Sequence, residues 1–342
     1  MSARAWAANG LLALAAGALT LGAGELALRA TVRRPRVPMH VVCDCPYLYG
    51  LNPRRPGISA EGLRDRLFAI PKPAGTYRVL VLGDSIAYGV GVEPSETFAK
   101  VLERRLDQRG RRVEVINGGV LGYTAYNELE YYLARGRDFQ PDAVVVAFCM
   151  NDVVDPELHW SGTRREVPDV PPDAIPDPVY HATHVARLLG PRLPLLGRRS
   201  EVLRRLALLR DPRRDPSWRT RLYASVGGRT WPTYITGEDD LGIQVLTDGD
   251  SPQWRWLRAM YGRLRSAVEA DHARLVVLIV PLAYQLEDGY PFRPQDEFQR
   301  YCRRQRLTCV DLLGAFRAHR GEGLFPPAQG DWADIWHPTA AG

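Results

Sequence analysis

The stretch Tyr77-Arg-Val-Leu-Val-Leu-Gly83-Asp84-Ser85-Ile86 decides the fold. Residues 77–82 form a near-continuous run of β-branched and aliphatic residues, which is how a strand covered on both faces reads. A turn of small and polar residues follows at once, and then a glycine-rich stretch with Gly89 and Gly91. In open parallel sheets ligands sit outside the carboxyl ends of the strands. Ser85 therefore stands where such a fold places its site.

The same alternation continues along the chain. Val113 to Ile116, Asp142 to Phe148, Arg274 to Val280 and Leu307 to Leu312 read as four further strands. Ser95 can cap a helix running to about Gln108, with Gly110 as its stop, and Glu128 to Ala134 is helical. Trp254, Leu257, Tyr261, Leu264 and Val268 recur at spacings of three and four, which marks one apolar helix face. A helix around Asp296 to Arg304 separates the last two strands. Strands alternating with helices predict an α/β fold: a three-layer α/β/α sandwich on a mostly parallel five-stranded sheet, with right-handed crossovers.

The 342 residues, 45% of them hydrophobic, suffice for a large core. The expected organisation is a membrane anchor or signal segment at 1–29, a Pro-rich connector at 30–75, and one domain at 76–342 carrying an insertion at about 153–251. Ala5 to Gly24 holds 20 residues without a charge. A helix of that length spans about 30 Å, the thickness of a bilayer's hydrocarbon. A retained anchor is the favoured reading of this stretch. A cleaved signal peptide, with small residues around Gly22-Ala23-Gly24, and a buried soluble helix are the alternatives. Arg29, Arg33, Arg34 and Arg36 follow the stretch and only Arg4 precedes it, which by the positive-inside rule would hold the rest of the chain in the cytoplasm. The connector carries seven prolines between Pro35 and Pro73 and little periodicity. The insertion breaks the alternation with a proline-rich, then a leucine-rich basic, then a polar segment.

Net charge is +6, and Lys72 and Lys100 are the only lysines. An arginine excess of this kind fits a GC-rich genome. Acidic residues are mixed among the arginines throughout, so no basic face for nucleic acid is indicated. The five cysteines, Cys43, Cys45, Cys149, Cys302 and Cys309, are an odd and sparse set that predicts no disulfide framework. Cys43 and Cys45 are too close for ordinary pairing, and no second CxC or CxxC completes a zinc site. His181 and His184 stand three apart without a cysteine or carboxylate cluster around them, and read as ordinary residues of the insertion. Gly89-Val-Gly91-Val-Glu-Pro94 lacks the third glycine of a dinucleotide fingerprint and the Gly-Lys-Ser/Thr of a P-loop. No cofactor and no metal are expected.

Three far-separated segments carry the chemistry. Ser85, at the head of a helix, has its own N–H free to face a developing oxyanion. Asn151, in Cys149-Met-Asn-Asp152 after the third strand, can aim an amide at the same place, with Asp152 supporting the turn. Asn117-Gly-Gly-Val-Leu-Gly122 lets the backbone approach closely after the second strand. Asp334 and His337 stand three apart, so one turn lets the carboxylate hold one imidazole nitrogen and leaves the other to face Ser85. A nucleophile, oxyanion donors and an oriented base are the set that acyl transfer at a serine needs.

Together these segments resemble the SGNH/GDSL hydrolase superfamily. Gly83-Asp84-Ser85-Ile86 is similar to its first block, with Ile for the usual Leu. Gly122 matches the second-block glycine and Asn151 the third-block asparagine, although Cys149 replaces that block's glycine. Asp334 and His337 match the last block, Asp-x-x-His. The resemblance covers about residues 77–152 and 252–342 and leaves out the insertion. It implies a flavodoxin-like SGNH fold and the hydrolysis of carboxylic esters, without a cofactor, through an acyl-serine intermediate. It implies Ser85 as nucleophile, His337 as base, Asp334 as its partner, and an oxyanion hole of the Ser85 and Gly122 N–H groups with the Asn151 amide. The frequent export of relatives carrying such an N-terminal segment outweighs the arginine bias, so the expected location is membrane-anchored with the catalytic domain outside the cytoplasm. The partners expected are an ester substrate and the membrane. O-acyl transfer to a glycan hydroxyl uses the same residues and is the alternative activity; a binding protein on an inactivated scaffold is disfavoured, because every catalytic position is filled. The sequence stops five residues after His337, where relatives continue into a helix, so a truncated chain or a thin last layer is expected.

Overall fold

The computed structural model describes residues 37–107, 112–150, 152, 249–250, 252–290, 294–327 and 334–342, two short strands at 223–226 and 229–232, and scattered positions between 9 and 27. The chain divides into two compact units. One comprises Met1–Arg36 and Asp177–Arg219; the other comprises Val37–Pro176 and Thr220–Gly342 and contains the sheet. Half of residues 5–24, where a span is expected, lie outside the described residues, and so does nearly all of the expected insertion. Among the described residues no helix is long and apolar enough to cross a membrane.

The second unit opens with a hairpin, β1 (His40–Val42) and β2 (Tyr49–Leu51), paired antiparallel with His40 opposite Leu51. The main sheet has five strands: β3 (Tyr77–Gly83), β4 (Val113–Asn117), β5 (Ala143–Phe148), β8 (Arg274–Ile279) and β9 (Thr308–Asp311). An antiparallel pair, β6 (Tyr223–Val226) and β7 (Arg229–Pro232), falls within the insertion. The sheet order is β4-β3-β5-β8-β9, and every pairing is parallel. That order turns back once, between β3 and β5, and the site of such a sheet lies at that reversal.

Among the described residues six helices accompany the sheet: α1 (Ser85–Tyr88), α2 (Phe98–Asp107), α3 (Ala125–Ala134), α4 (Pro252–Ala270), α5 (Pro294–Gln305) and α6 (Leu313–Ala318). The step from β3 to β4 runs opposite to the steps from β4 to β5, β5 to β8 and β8 to β9. Right-handed crossovers therefore put α2 on one face and α3, α4 and α5 on the other. The centre of the sheet is fully covered: Leu80, Leu82, Val144, Val146, Val277 and Ile279 are buried. The apolar face read from the sequence, Trp254, Leu257, Tyr261, Leu264 and Val268, is buried throughout. Phe148 stacks on Phe298 of α5 at 4.5 Å between ring centroids, with Tyr261 edge-on to both.

Several expectations need correction. The helix expected from Ser95 begins at Phe98, because Pro94–Glu96 forms a separate 3-10 turn whose Glu96 side chain bonds back to the Glu93 N–H. Helix α3 begins three residues before Glu128. Thr124 and Asn127 close a capping box there, a sequence signal that the apolar pattern obscured. The stretch expected as a connector is built into the body from its first described residues. Leu48, Tyr49, Leu51, Leu63 and Phe68 join the core. Prolines break periodicity, but single apolar anchors between them still bury.

The cysteine reading also changes. Cys302 at α5 and Cys309 in β9 are disulfide-bonded, and so are Cys43 and Cys45 in the β1–β2 loop; buried Cys149 is free. The turn after α5, where the Leu307 N–H bonds the Cys302 carbonyl, brings the 302 and 309 Cα atoms to 6.1 Å. The tight β1–β2 loop, closed by bonds between Cys43 and Leu48 and between Leu48 and Cys45, brings its pair to 5.2 Å. Both lie in the range a disulfide spans. Sequence spacing alone does not show these local reversals.

A fully buried cation, Arg78, ties β3 to β4 and to the segment that enters β5. Arg78 in β3 pairs with Glu114, its register partner in β4, and donates to the Phe139 carbonyl at 2.7 Å and the Ala69 carbonyl at 3.1 Å. Its own N–H donates to the Asp142 carboxylate at 2.7 Å. Arg78→Ala is expected to lower unfolding free energy by about 3–5 kcal/mol, the usual loss when one member of a buried pair is removed. Urea denaturation of the variant measures it.

Candidate active site

Strand β3 delivers Ser85 to the carboxyl end of the sheet. Asp84 caps the short helix α1, its Oδ1 accepting the Ile86 N–H at 2.8 Å, and Ser85 is the first helical residue. The helix ends after one turn at Gly89, whose N–H bonds the Ser85 and Ile86 carbonyls. Arg64 then clamps that end. Its guanidinium donates to the Tyr88, Gly89 and Val92 carbonyls at 2.8, 2.5 and 2.6 Å and lies 4.5 Å from the Tyr88 ring centroid. A cation satisfying the last carbonyls of a helix stabilises its end. The clamp comes from the stretch read as a connector. No local sequence signal marks Arg64, since its partners are backbone carbonyls 24 to 28 residues away.

His337 arrives from the far end of the chain. Asp334 Oδ1 accepts the Trp336 and His337 N–H groups, both at 3.1 Å, which closes a tight turn. The turn is held from both sides: Ala283 N–H bonds the Ile335 carbonyl at 3.0 Å, and Thr339 bonds the Leu324 and Gly323 carbonyls. Within it, Asp334 Oδ2 lies 2.8 Å from His337 Nδ1, and His337 Nε2 lies 2.9 Å from Ser85 Oγ. With the carboxylate accepting from Nδ1–H, the Nε2 lone pair is left to accept the serine proton. His337 and Asp334 are both partly buried.

The loop after β4 runs alongside the nucleophile strand. Gly118 N–H bonds the Val81 carbonyl at 2.8 Å and Val120 N–H the Gly83 carbonyl at 3.0 Å. A Cβ at Gly119 would overlap the Tyr88 backbone nitrogen, so only glycine allows this approach to α1. Gly122 has φ of +77°. Neither the Ser85 nor the Gly122 N–H donates to another protein group among the described residues, so both are available to an oxyanion. The hairpin braces this loop: Tyr123 Oη–H donates to the Tyr49 carbonyl at 2.7 Å, and Asn127 donates to the Tyr47 carbonyl at 3.1 Å. Asn151 itself lies outside the described residues. On either side of it, Asp152 accepts the Cys149 N–H on its carboxylate at 3.0 Å and donates its own N–H to the Cys149 carbonyl at 3.1 Å. His181 and His184 also lie outside the described residues.

The structure thus brings together Ser85, His337 and Asp334 and sets the Gly122 loop along the same strand. A hydroxyl hydrogen-bonded to an imidazole that a carboxylate orients can transfer an acyl group through serine. Such an arrangement is what a serine acyl hydrolase requires. Residues 81–342 match the family described as GDSL-like lipase/acylhydrolase, and the chain belongs to that family and is a serine ester hydrolase. No curated protein matches the chain. Among solved structures it is similar to TesA, at 15% identity over 77% of this chain and 90% of that one, with a TM-score of 0.39. It is also similar to AlinE4, an SGNH-hydrolase family esterase, at 12% identity over 75% and 87% with a TM-score of 0.39. For the psychrotrophic esterase EstA from Pseudoalteromonas sp. the values are 12%, 77%, 88% and 0.36.

Arg64→Ala is expected to reduce kcat on a p-nitrophenyl ester by about 10²-fold, because displacing a nucleophile by about 1 Å has that effect. Steady-state kinetics on the folded variant, checked by circular dichroism, measure it.

Proposed function

We propose that the protein hydrolyses carboxylic esters through an acyl intermediate on Ser85, with His337 as the base and Asp334 as its orienting partner. The observation that carries this reading is the continuous relay from Asp334 through His337 to Ser85, at 2.8 and 2.9 Å.

Ser85 Oγ attacks the ester carbonyl carbon as its proton passes to His337 Nε2. Asp334 holds the imidazole in the right tautomer and stabilises the imidazolium. The carbonyl oxygen becomes an oxyanion, facing the Ser85 and Gly122 N–H groups and the Asn151 amide. The tetrahedral intermediate collapses; its C–O bond to the alcohol breaks, and His337 protonates the leaving oxygen. Water then attacks the acyl-serine, giving its proton to His337. Collapse of the second intermediate releases the acid and returns the proton to Ser85 Oγ.

We propose further that residues 5–24 anchor this domain outside the cytoplasm. The Cys302–Cys309 disulfide supports an oxidising compartment, where such bonds form and persist. An alkaline phosphatase fused after residue 75 should be active in the periplasm of a bacterial host. A silent phosphatase beside an active cytoplasmic reporter at the same junction overturns this placement.

Ser85→Ala should abolish ester hydrolysis. Asp334→Asn should cost about 10⁴ in kcat through loss of the correct tautomer. Asn151→Ala should cost about 10²–10³, the usual loss for one oxyanion donor. Turnover of p-nitrophenyl acetate by the folded variants checks this order; wild-type activity in Ser85→Ala contradicts the mechanism.

A further inference from the structure

Directly behind the relay lies a group of acids that the mechanism does not use. Asp84, between strand β3 and helix α1, is buried next to the nucleophile. Asp152, in the turn after β5, is buried next to Asn151. Glu128, on the first turn of α3, is fully buried and interacts electrostatically with both. Tyr261 of α4 faces all three, and Tyr301 of α5 lies behind it.

Asp84 and Asp152 each have a defined structural task. Asp84 holds the Ile86 N–H at the head of the nucleophile helix. Asp152 holds the Cys149 N–H just after β5. Glu128 has no such task. Its carboxyl holds no backbone N–H; the Tyr261 hydroxyl lies beside it, and Asp152 Oδ1 closes no hydrogen bond. Among the described residues no cation acts on Glu128 or Asp152, and no three acidic, cysteine or histidine side chains are arranged to hold a metal ion. Two anions without a counter-charge cannot share a dry interior, whereas a protonated carboxyl can sit beside them and donate a hydrogen bond.

We propose that Glu128 is a positioning residue of this active site: as a neutral acid it joins Asp84 and Asp152, and so couples the nucleophile turn to the oxyanion turn through one shared proton. Burial, reinforced by Asp84, pushes the Glu128 carboxyl up to about 8, and burial beside Glu128 and Asp84 raises Asp152 as well. Proton loss from Glu128 puts a second or third negative charge between the two turns and drives them apart. Glu128→Gln keeps the shape and the donor but has no proton to lose.

A group whose folded pKa is raised binds its proton more tightly in the folded state. Stability from Glu128 is therefore highest near and below its ordinary 4.5, falls as pH rises towards about 8, and levels off above.

The proposal rests on the ester-hydrolase reading, and two measurements keep the two apart. The first is kcat against pH with a p-nitrophenyl ester. Wild type should lose activity above about pH 8, roughly tenfold per pH unit, and the profile of Glu128→Gln should stay flat from about pH 7 to about pH 9.5. The second is the melting temperature of both proteins from pH 5 to 9, which needs no substrate. The advantage of Glu128→Gln should grow between pH 5 and 8 and then stop growing. An unchanged alkaline limb in Glu128→Gln overturns the proposal, as does a melting-temperature difference that does not vary with pH. A Glu128→Gln protein that does not fold also overturns it, because a neutral isostere must be accepted at a site that holds a neutral acid. If Ser85→Ala remains active, the hydrolase mechanism fails while the melting comparison still decides the role of Glu128.

Discussion

The hydrogen bond between His337 Nε2 and Ser85 Oγ joins residues 252 positions apart, and the rest of the structure serves to hold it. A bond of 2.9 Å between two side chains so far apart in the chain is useful only if both segments that carry them are rigid. On the serine side rigidity comes from a single helical turn, capped by Asp84 at its start and by Arg64 at its end. On the histidine side it comes from a turn that Asp334 closes with the same carboxylate that orients the imidazole. One residue thereby fixes both the backbone and the tautomer.

The parallel sheet converts this local order into a site. Because the order reverses between β3 and β5, the turns that follow these two strands open onto the same crevice. The loop after β4 joins them by extending its ladder past the strand, with Gly118 and Val120 bonded to Val81 and Gly83. Ser85, the Gly122 loop and the Cys149–Asp152 turn are thus set by the register of three adjacent strands. Arg78, which ties the same three strands by its side chain and backbone, secures that register from below.

Much of this was legible in the chain. Each of the five strands was visible, because parallel strands covered on both faces are continuous apolar runs. The α4 face was visible, because Trp254 to Val268 keep strict helical spacing. Ser85, Asp334 and His337 were visible, because a short polar motif after a strand and an Asp-x-x-His turn are local patterns. What escaped was non-local. Arg64 binds carbonyls, which leave no mark in a sequence. The hairpin and the residues up to Phe68 pack through single apolar anchors spaced by prolines. Glu128 reads as an ordinary polar position of an amphipathic helix, and only the packing of α3 against the site shows that it is buried. Cys302 and Cys309 pair because a turn folds the chain back on itself.

The central claim is that Ser85 is the residue that carries the acyl group. Treating the full-length protein with a fluorophosphonate and mapping the adduct by tandem mass spectrometry tests it most directly. The account predicts one stoichiometric adduct on the Ser85 hydroxyl, formed slowly in the His337→Ala protein and absent from Ser85→Ala. A stoichiometric adduct on another residue, or the same labelling after Ser85 is replaced, would contradict it.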